Sequence, residues 1–176
     1  IDAETQKDIA TMAAQMSGVF RLAHENDIFI VSSAGNDSEK LDPKMSALWS
    51  SPLNFAIRAY CLRNGWCNGV IIEAHNPRDE STKFSNGNGD LSCPGVRIVS
   101  TVAYDKNELP SKHSYAEMTG TSMAAPFCAG GLVLLSRLLG DPSAADVIKC
   151  AKNNGRRTGS FSAPALDIEA AFNNCK

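Results

Sequence analysis

The sequence predicts an α/β fold built on a mainly parallel sheet. Residues 2–24 show helical apolar spacing and run straight into the β-branched stretch Ile28-Phe29-Ile30-Val31. A second unbroken apolar run, Val70-Ile71-Ile72, has the character of a strand buried on both faces. Residues 121–139 are apolar almost all round, as a helix central to a core would be. Helix followed by buried strand is half of a β-α-β unit, so a further strand should precede the first helix.

In chain order, Ile9, Met12, Ala13, Met16, Val19, Phe20 and Ala23 mark the buried face of one helix from Asp2 to His24. Asn26-Asp27 breaks it, and residues 28–33 form the first strand. Residues 37–56 are polar and interrupted by Pro43 and Pro52, which predicts a long surface loop with helical turns. Phe55 to Leu62 is helix-compatible, and turns at Asn64-Gly65 and Asn68-Gly69 lead into the second strand, Val70–Ala74. Asn86-Gly87-Asn88-Gly89 is turn chemistry, so residues 75–95 read as loop. Ile98–Val102 is the expected third strand. Pro142-Ser143 opens a helix with Val147 and Ile148 inward, Gly155-Arg156-Arg157 is a turn, and Asp167 caps a final helix through Phe172. Three strands make a poor free-standing parallel sheet, because one apolar strand edge would lie open. The chain is therefore expected to complete its sheet with another segment.

Composition narrows the function. The 176 residues fit one domain, with 43% apolar and 20% charged residues, enough for a core and too few charges for disorder. A net charge of -2 gives no attraction to nucleic acid or to an anionic membrane. No apolar run reaches the ~18 residues of a membrane span, and no signal peptide is visible. The start at Ile1, without Met, suits a processed product or a trimmed piece of a longer chain alike. The six cysteines show no paired metal-binding spacing. Cys61–Cys67 and Cys150–Cys175 are candidate disulfides, which favours a secreted or extracellular location; Cys93 and Cys128 read as small buried apolar residues.

Chemistry concentrates in Gly120-Thr121-Ser122-Met123-Ala124-Ala125-Pro126. The string sets a hydroxyl at the start of the long apolar helix, where the dipole and the residue's own N–H favour a developing negative charge. Taken alone, Thr121 or Ser122 would more often be a simple helix cap. Upstream, the first strand ends in Ser33-Ala34-Gly35-Asn36, which alone would more often be a turn. Asn36-Asp37-Ser38 is formally a glycosylation sequon, but a glycan there would block a site built on Asn36.

Together, and in this order, these segments resemble the subtilisin-like serine protease family. Phe127-Cys128-Ala129-Gly130 continues the serine motif, with Phe127 where the family usually has His. Phe84-Ser85-Asn86-Gly87, Cys93-Pro94-Gly95-Val96-Arg97-Ile98 (with Cys93 in place of Ala) and Leu166-Asp167-Ile168-Glu169-Ala170-Ala171 extend the resemblance over most of residues 5–172. Leu41–Asn68 departs from the pattern and reads as an insertion. The resemblance implies a three-layer, subtilisin-like α/β domain of which residues 1–176 form the C-terminal portion, incomplete on this chain and completed by an N-terminal segment. It implies Ser122 as nucleophile and Asn36 as side-chain donor to the oxyanion, beside the Ser122 N–H. Ser33, Ala34 and Gly35 would form one wall of the pocket for the substrate side chain, with Gly120 and Thr121 beside the reacting carbonyl. In subtilisin, the family member from which the magnitude comes, losing this amide donor costs about 10²–10³ in turnover.

No segment resembles the family's aspartate or histidine motif. Neither His24, His75 nor His113 has the expected context, nor do Asp2, Asp27 or Asp37. In subtilisin itself, losing the histidine costs about 2 × 10⁶ in turnover, or roughly 8–9 kcal/mol of barrier. The resemblance therefore implies an endopeptidase whose Asp and His come from another chain or from the N-terminal fragment of the same precursor, acting on peptide or protein substrates. No cofactor is required; structural calcium is compatible with the family but cannot be read from Leu41–Asn68. The alternatives are an inactive pseudoprotease that binds peptides or partners, and a hydrolase recruiting one of its own histidines.

Overall fold

Ile30–Ser33 (β1), Gly69–His75 (β2) and Leu91–Pro94 (β3) pair in parallel in the order β1-β2-β3. A computed structural model describes residues 2–40, 45–65, 67–102, 115–157 and 163–176. Trp66 and His113 lie outside them. β2 is central and buried along its whole length, as its unbroken apolar run requires. Its even residues Val70, Ile72 and Ala74 face the long helix Thr121–Leu138 (α4) together with Ala144–Asn154 (α5) and Ile168–Asn174 (α6). Ile71 faces the other way, toward Ala3–Ala14 (α1), Ser17–Glu25 (α2) and Pro52–Asn64 (α3). Helices thus cover both faces of the sheet, in three layers.

Several elements depart from the sequence expectation. The helix expected over residues 2–24 is two helices, α1 and α2, broken at Gln15–Met16, where the Met16 N–H turns back to the Ala13 carbonyl. Two helices reach the core where one straight helix would not: Phe20 packs against Tyr60 with ring centroids 5.2 Å apart, while Met12 and Val19 stay exposed. α3 starts at Pro52, at its first turn, with Ser51 as the cap accepting from the Asn54 N–H, and it ends at Gly65 in the left-handed region. The third sheet strand is β3, inside the stretch read as loop. Ile98–Thr101 (β4) instead pairs antiparallel with Tyr115–Met118 (β5) in a separate two-stranded ribbon. Arg97, at φ 58°, turns the chain out of the parallel sheet.

All three cysteine pairs are bonded. Cys61–Cys67 and Cys150–Cys175 match the sequence expectation. Cys93 and Cys128 are buried but not free, and their disulfide ties the end of β3 to α4. α4 is also long and apolar enough, by composition, to meet the criterion for a membrane span, contrary to the sequence expectation. One of its faces lies on the sheet through Ala124, Cys128, Leu132 and Leu135; Phe127, Val133, Leu134 and Leu138 on the others are exposed.

At the rear of the sheet, Asp90 accepts from Arg58 at 2.6 Å, from Lys152 at 2.7 Å and from the Ile71 N–H at 3.0 Å. This buried carboxylate ties α3, α5 and β2 together, with the hydrogen bonds a buried charge needs.

Candidate active site

The carboxyl ends of parallel strands and the amino ends of helices are where such a fold concentrates unpaired backbone donors. The chain leaves β1 through Ala34, whose N–H still bonds the Ile72 carbonyl at 2.9 Å. Gly35 then adopts φ +94°, which a side chain would oppose. The turn sets Asn36 at an exposed apex.

The other half of the site arrives from β5. Gly120 is extended and donates to the Gly95 carbonyl at 2.8 Å. Gly95 in turn donates to the His75 carbonyl at 3.0 Å, so the start of α4 is hung from the ends of β2 and β3. A Cβ on Gly95 would lie 2.7 Å from the Ala74 Cβ and 2.8 Å from the Gly120 oxygen, so this approach requires glycine. α4 then begins with Thr121 buried, Ser122 exposed and Met123 half-buried. Pro126 has no N–H to return to the Ser122 carbonyl, one turn back.

The two segments meet through hydrogen bonds. Asn36 Oδ1 accepts from the Thr121 N–H and from the Thr121 hydroxyl, each at 3.0 Å. Thr121 Oγ1 also accepts from the Gly35 N–H at 3.2 Å. With two donors on its oxygen, the Asn36 amide is held with that oxygen inward, which turns Nδ2 outward. Nδ2 makes no hydrogen bond among the described residues, and neither does the Ser122 N–H. Nδ2 lies 3.3 Å from where a Gly120 Cβ would stand, so glycine at 120 leaves the space in front of the amide open. Two unengaged donors and an exposed hydroxyl thus lie on the two segments that meet at the amino end of α4, where glycine at 120 leaves an opening in front of the Asn36 amide. Such an opening suits an oxygen that gains negative charge as a neighbouring hydroxyl attacks.

The other residues singled out from sequence lie on the same two segments. Ser33 is half-buried and its carbonyl accepts from Asn54 Nδ2 at 3.0 Å. Ala34 is fully buried and Gly35 half-buried, so that stretch can present main chain rather than side chains. Thr121 is fully buried; its hydroxyl is spent on Asn36 and Gly35, and it acts on the opening through Asn36. Asn54 and Asn86, both fully buried, were missed as parts of this frame. Asn86 had a signal, the Phe84-Ser85-Asn86-Gly87 match, but its Asn-Gly pair looked like a plain turn. Asn54 had none, lying in the departing region.

His75, expected in a loop, ends β2 and is buried. Its Nδ1 lies 2.8 Å from Ser92 Oγ and its Nε2 3.6 Å from Asp79. Burial pushes its pKa below the ordinary histidine value; Asp79 opposes that shift and Arg156 reinforces it. His24 lies in the last turn of α2. No described histidine hydrogen-bonds Ser122. Among the described residues, no three or more His, Cys, Asp or Glu side chains group as a metal site would need.

The profile of the subtilase family matches residues 3–158. This chain belongs to the subtilase family. The subtilase is 32% identical to the major intracellular serine protease of Bacillus subtilis over 115 residues, covering 64% of this chain and 30% of that protein. It is 32% identical over 118 residues to a subtilisin-like serine protease of Cochliobolus lunatus, covering 61% and 22%. An extracellular basic protease of Dichelobacter nodosus is 29% identical over 119 residues, covering 61% and 20%. The subtilase thus spans less than a third of the length of these relatives. They include intracellular and extracellular enzymes, and this chain is compatible with either location. Among solved structures, a protease from Pseudoalteromonas arctica superposes with a TM-score of 0.62 at 22% identity, over 90% of this chain and 46% of that one. The prenylagaramide maturation protease PagA gives 0.60 at 18% identity, over 92% and 55%. These likenesses establish the fold.

Proposed function

We propose that the subtilase of which this chain forms the C-terminal portion is a serine endopeptidase, with Ser122 as nucleophile. Asn36 Nδ2 and the Ser122 N–H are the oxyanion donors, and Ser33, Ala34 and Gly35 line the pocket for the substrate side chain. The observation that carries this reading is the double hydrogen bond from Thr121 to Asn36 Oδ1, which leaves the opposite end of the amide free beside Ser122. A base takes the Ser122 hydroxyl proton as Oγ bonds to the scissile carbonyl carbon, and the carbonyl oxygen takes the charge between the two donors. The C–N bond then breaks, the amine leaves with the proton, and water releases the acyl group from Ser122.

The base and its orienting carboxylate come, in this reading, from the N-terminal part of the same protease. Two features support an added segment there. The outer edge of β1 has no strand partner among the described residues. The exposed Val133 of α4 lines, with Phe29 and Val31, a hollow along that same edge, apolar surface that water would disfavour. The parts of the relatives that this chain does not span are long enough to supply such a cover.

The test is labelling with an active-site-directed phosphonate on the full-length protease. Label is expected on Ser122 in the complete protein and on nothing in Ser122→Ala. A complete, folded protein that takes no label and cleaves no peptide would mark the subtilase as an inactive peptide-binding scaffold.

A further inference from the structure

One buried side chain holds the Asn36 turn from behind. Asn86 is fully buried. Its backbone N–H donates to the Gly35 carbonyl at 3.0 Å. Its Oδ1 accepts from the Asp37 N–H at 3.0 Å and from the Ser38 hydroxyl at 3.1 Å. Its Nδ2 would lie 2.4 Å from a Cβ on Gly35, so the amide occupies the space that glycine leaves empty. Asp37 and Ser38 are therefore fastened to the Asn86 side chain and Gly35 to its main chain, with residue 36 between them at the apex.

We propose that Asn86 is a positioning residue for the Asn36 oxyanion donor; the proposal rests on Asn36 and Ser122 having the roles assigned above. Thr121 fixes the direction of the Asn36 amide from the front. That fixes the donor in space only if the main chain carrying it stays put. Exposed turns are ordinarily among the more mobile parts of a fold. Here the turn is hydrogen-bonded on both sides of its apex to one fully buried residue, through its main chain at Gly35 and its side chain at Asp37 and Ser38. The idle Nδ2, which has no hydrogen-bond partner among the described residues, argues the same way. An amide kept buried with its donor end unsatisfied costs free energy, so a purely space-filling role would suit an apolar residue better. The oxygen end is what this site uses. Reacting groups misplaced by about 1 Å lose on the order of 10²-fold in rate, which sets the scale of what such a brace protects.

The experiment is a double-mutant cycle on the full-length protease, with peptide hydrolysis as readout and Ser122→Ala as the reference. Asn86→Leu keeps the branched shape and removes the acceptor. Asn86→Ser packs without crowding and is too short to reach Asp37, which keeps the test available where the leucine variant does not fold. Asn86→Asp keeps the acceptor. Either of the first two should lower kcat by about 10- to 100-fold with KM little changed, and Asn86→Asp should recover most of the loss. In an Asn36→Ala background, where no donor remains to be positioned, the same substitutions should cost less than about 3-fold. Equal losses in both backgrounds, or an unchanged kcat, overturn the proposal while leaving Ser122 as nucleophile. Turnover that persists in Ser122→Ala removes the reading of the site and this proposal together.

Discussion

Thr121 offers the sharpest test of how the site is held together. Its hydroxyl makes two hydrogen bonds inside a fully buried side chain, one from the Gly35 N–H and one to Asn36 Oδ1. Thr121→Val replaces that hydroxyl with a methyl group and keeps the branched shape. The half-buried Gly35 N–H then loses its partner, at a cost of about 1–3 kcal/mol. Asn36 Oδ1 keeps the Thr121 N–H at 3.0 Å but loses one of its two donors, worth about 0.5–1.5 kcal/mol. Burial of the new methyl offsets on the order of 1 kcal/mol. The net expectation is a loss of roughly 1–3 kcal/mol in stability, and a bias on the amide weakened by about 1 kcal/mol, or some 5-fold in its oriented population. Turnover should fall by no more than about that factor, far short of the 10²–10³ that subtilisin itself loses when its oxyanion amide is removed. Thr121→Ser keeps both hydrogen bonds and drops only a methyl, at about 1 kcal/mol in stability with kcat nearly unchanged. The assay is kcat on a peptide substrate, with the urea midpoint of the same full-length proteins. If the valine and serine variants matched each other in kcat, the hydroxyl would not be orienting Asn36, and the front half of the clamp would be wrong.

Gly95→Ala puts a methyl against the Ala74 Cβ and the Gly120 oxygen, both under 3.0 Å, and should force the start of α4 away from the strand ends. Overpacking of this kind costs about 1–3 kcal/mol, so a lower melting temperature and a loss of phosphonate labelling rate are expected together. Lower stability with an unchanged labelling rate would show that the Gly95–Gly120 contact does not set the site. His75 supplies a pH test. Its folded pKa is depressed, chiefly by burial, so below the ordinary value of 6.5 the unfolded chain binds a proton that the folded chain resists. The stability it contributes is present above pH 6.5 and should decline as pH falls toward the lower folded value. His75→Gln should flatten that part of the stability profile measured by denaturation; an equally steep profile in the variant would exclude His75 as its source.

What was legible in the sequence was what is encoded locally. The unbroken apolar runs Ile28–Val31 and Val70–Ile72 gave β1 and β2, and only β2 proved buried along its whole length. Gly120–Pro126 and Ser33–Asn36 stood out because an open hydroxyl at a helix start and an amide on a strand-end turn demand small neighbours and glycine. Cys61–Cys67 and Cys150–Cys175 stood as candidates among fifteen possible connectivities, which the sequence could not choose between; Cys93–Cys128 was not among the candidates, because each partner sits in an apolar setting that explains it without a bond. β3 was hidden for a related reason. Ser92 and Pro94 have no strand signature, and the buried Ser92 hydroxyl finds its partner in His75, 2.8 Å away. The β-branched Ile98–Thr101 had the better signature and went to an exposed ribbon, since the turn at Arg97 leads the chain away from β2.

Sequence alone therefore determined which segments could be strands and helices and which side chains could carry chemistry, because those follow from spacing and residue type within a few positions. The assembled fold decided everything that needs partners far apart along the chain. It chose the third strand, and it turned Thr121 from a residue expected beside the reacting carbonyl into the buried holder of Asn36. It also set Asn86 behind a glycine some fifty positions upstream. A hydrogen bond across such a separation leaves no periodic trace in the chain, only a polar residue at a place where burial makes its partners matter.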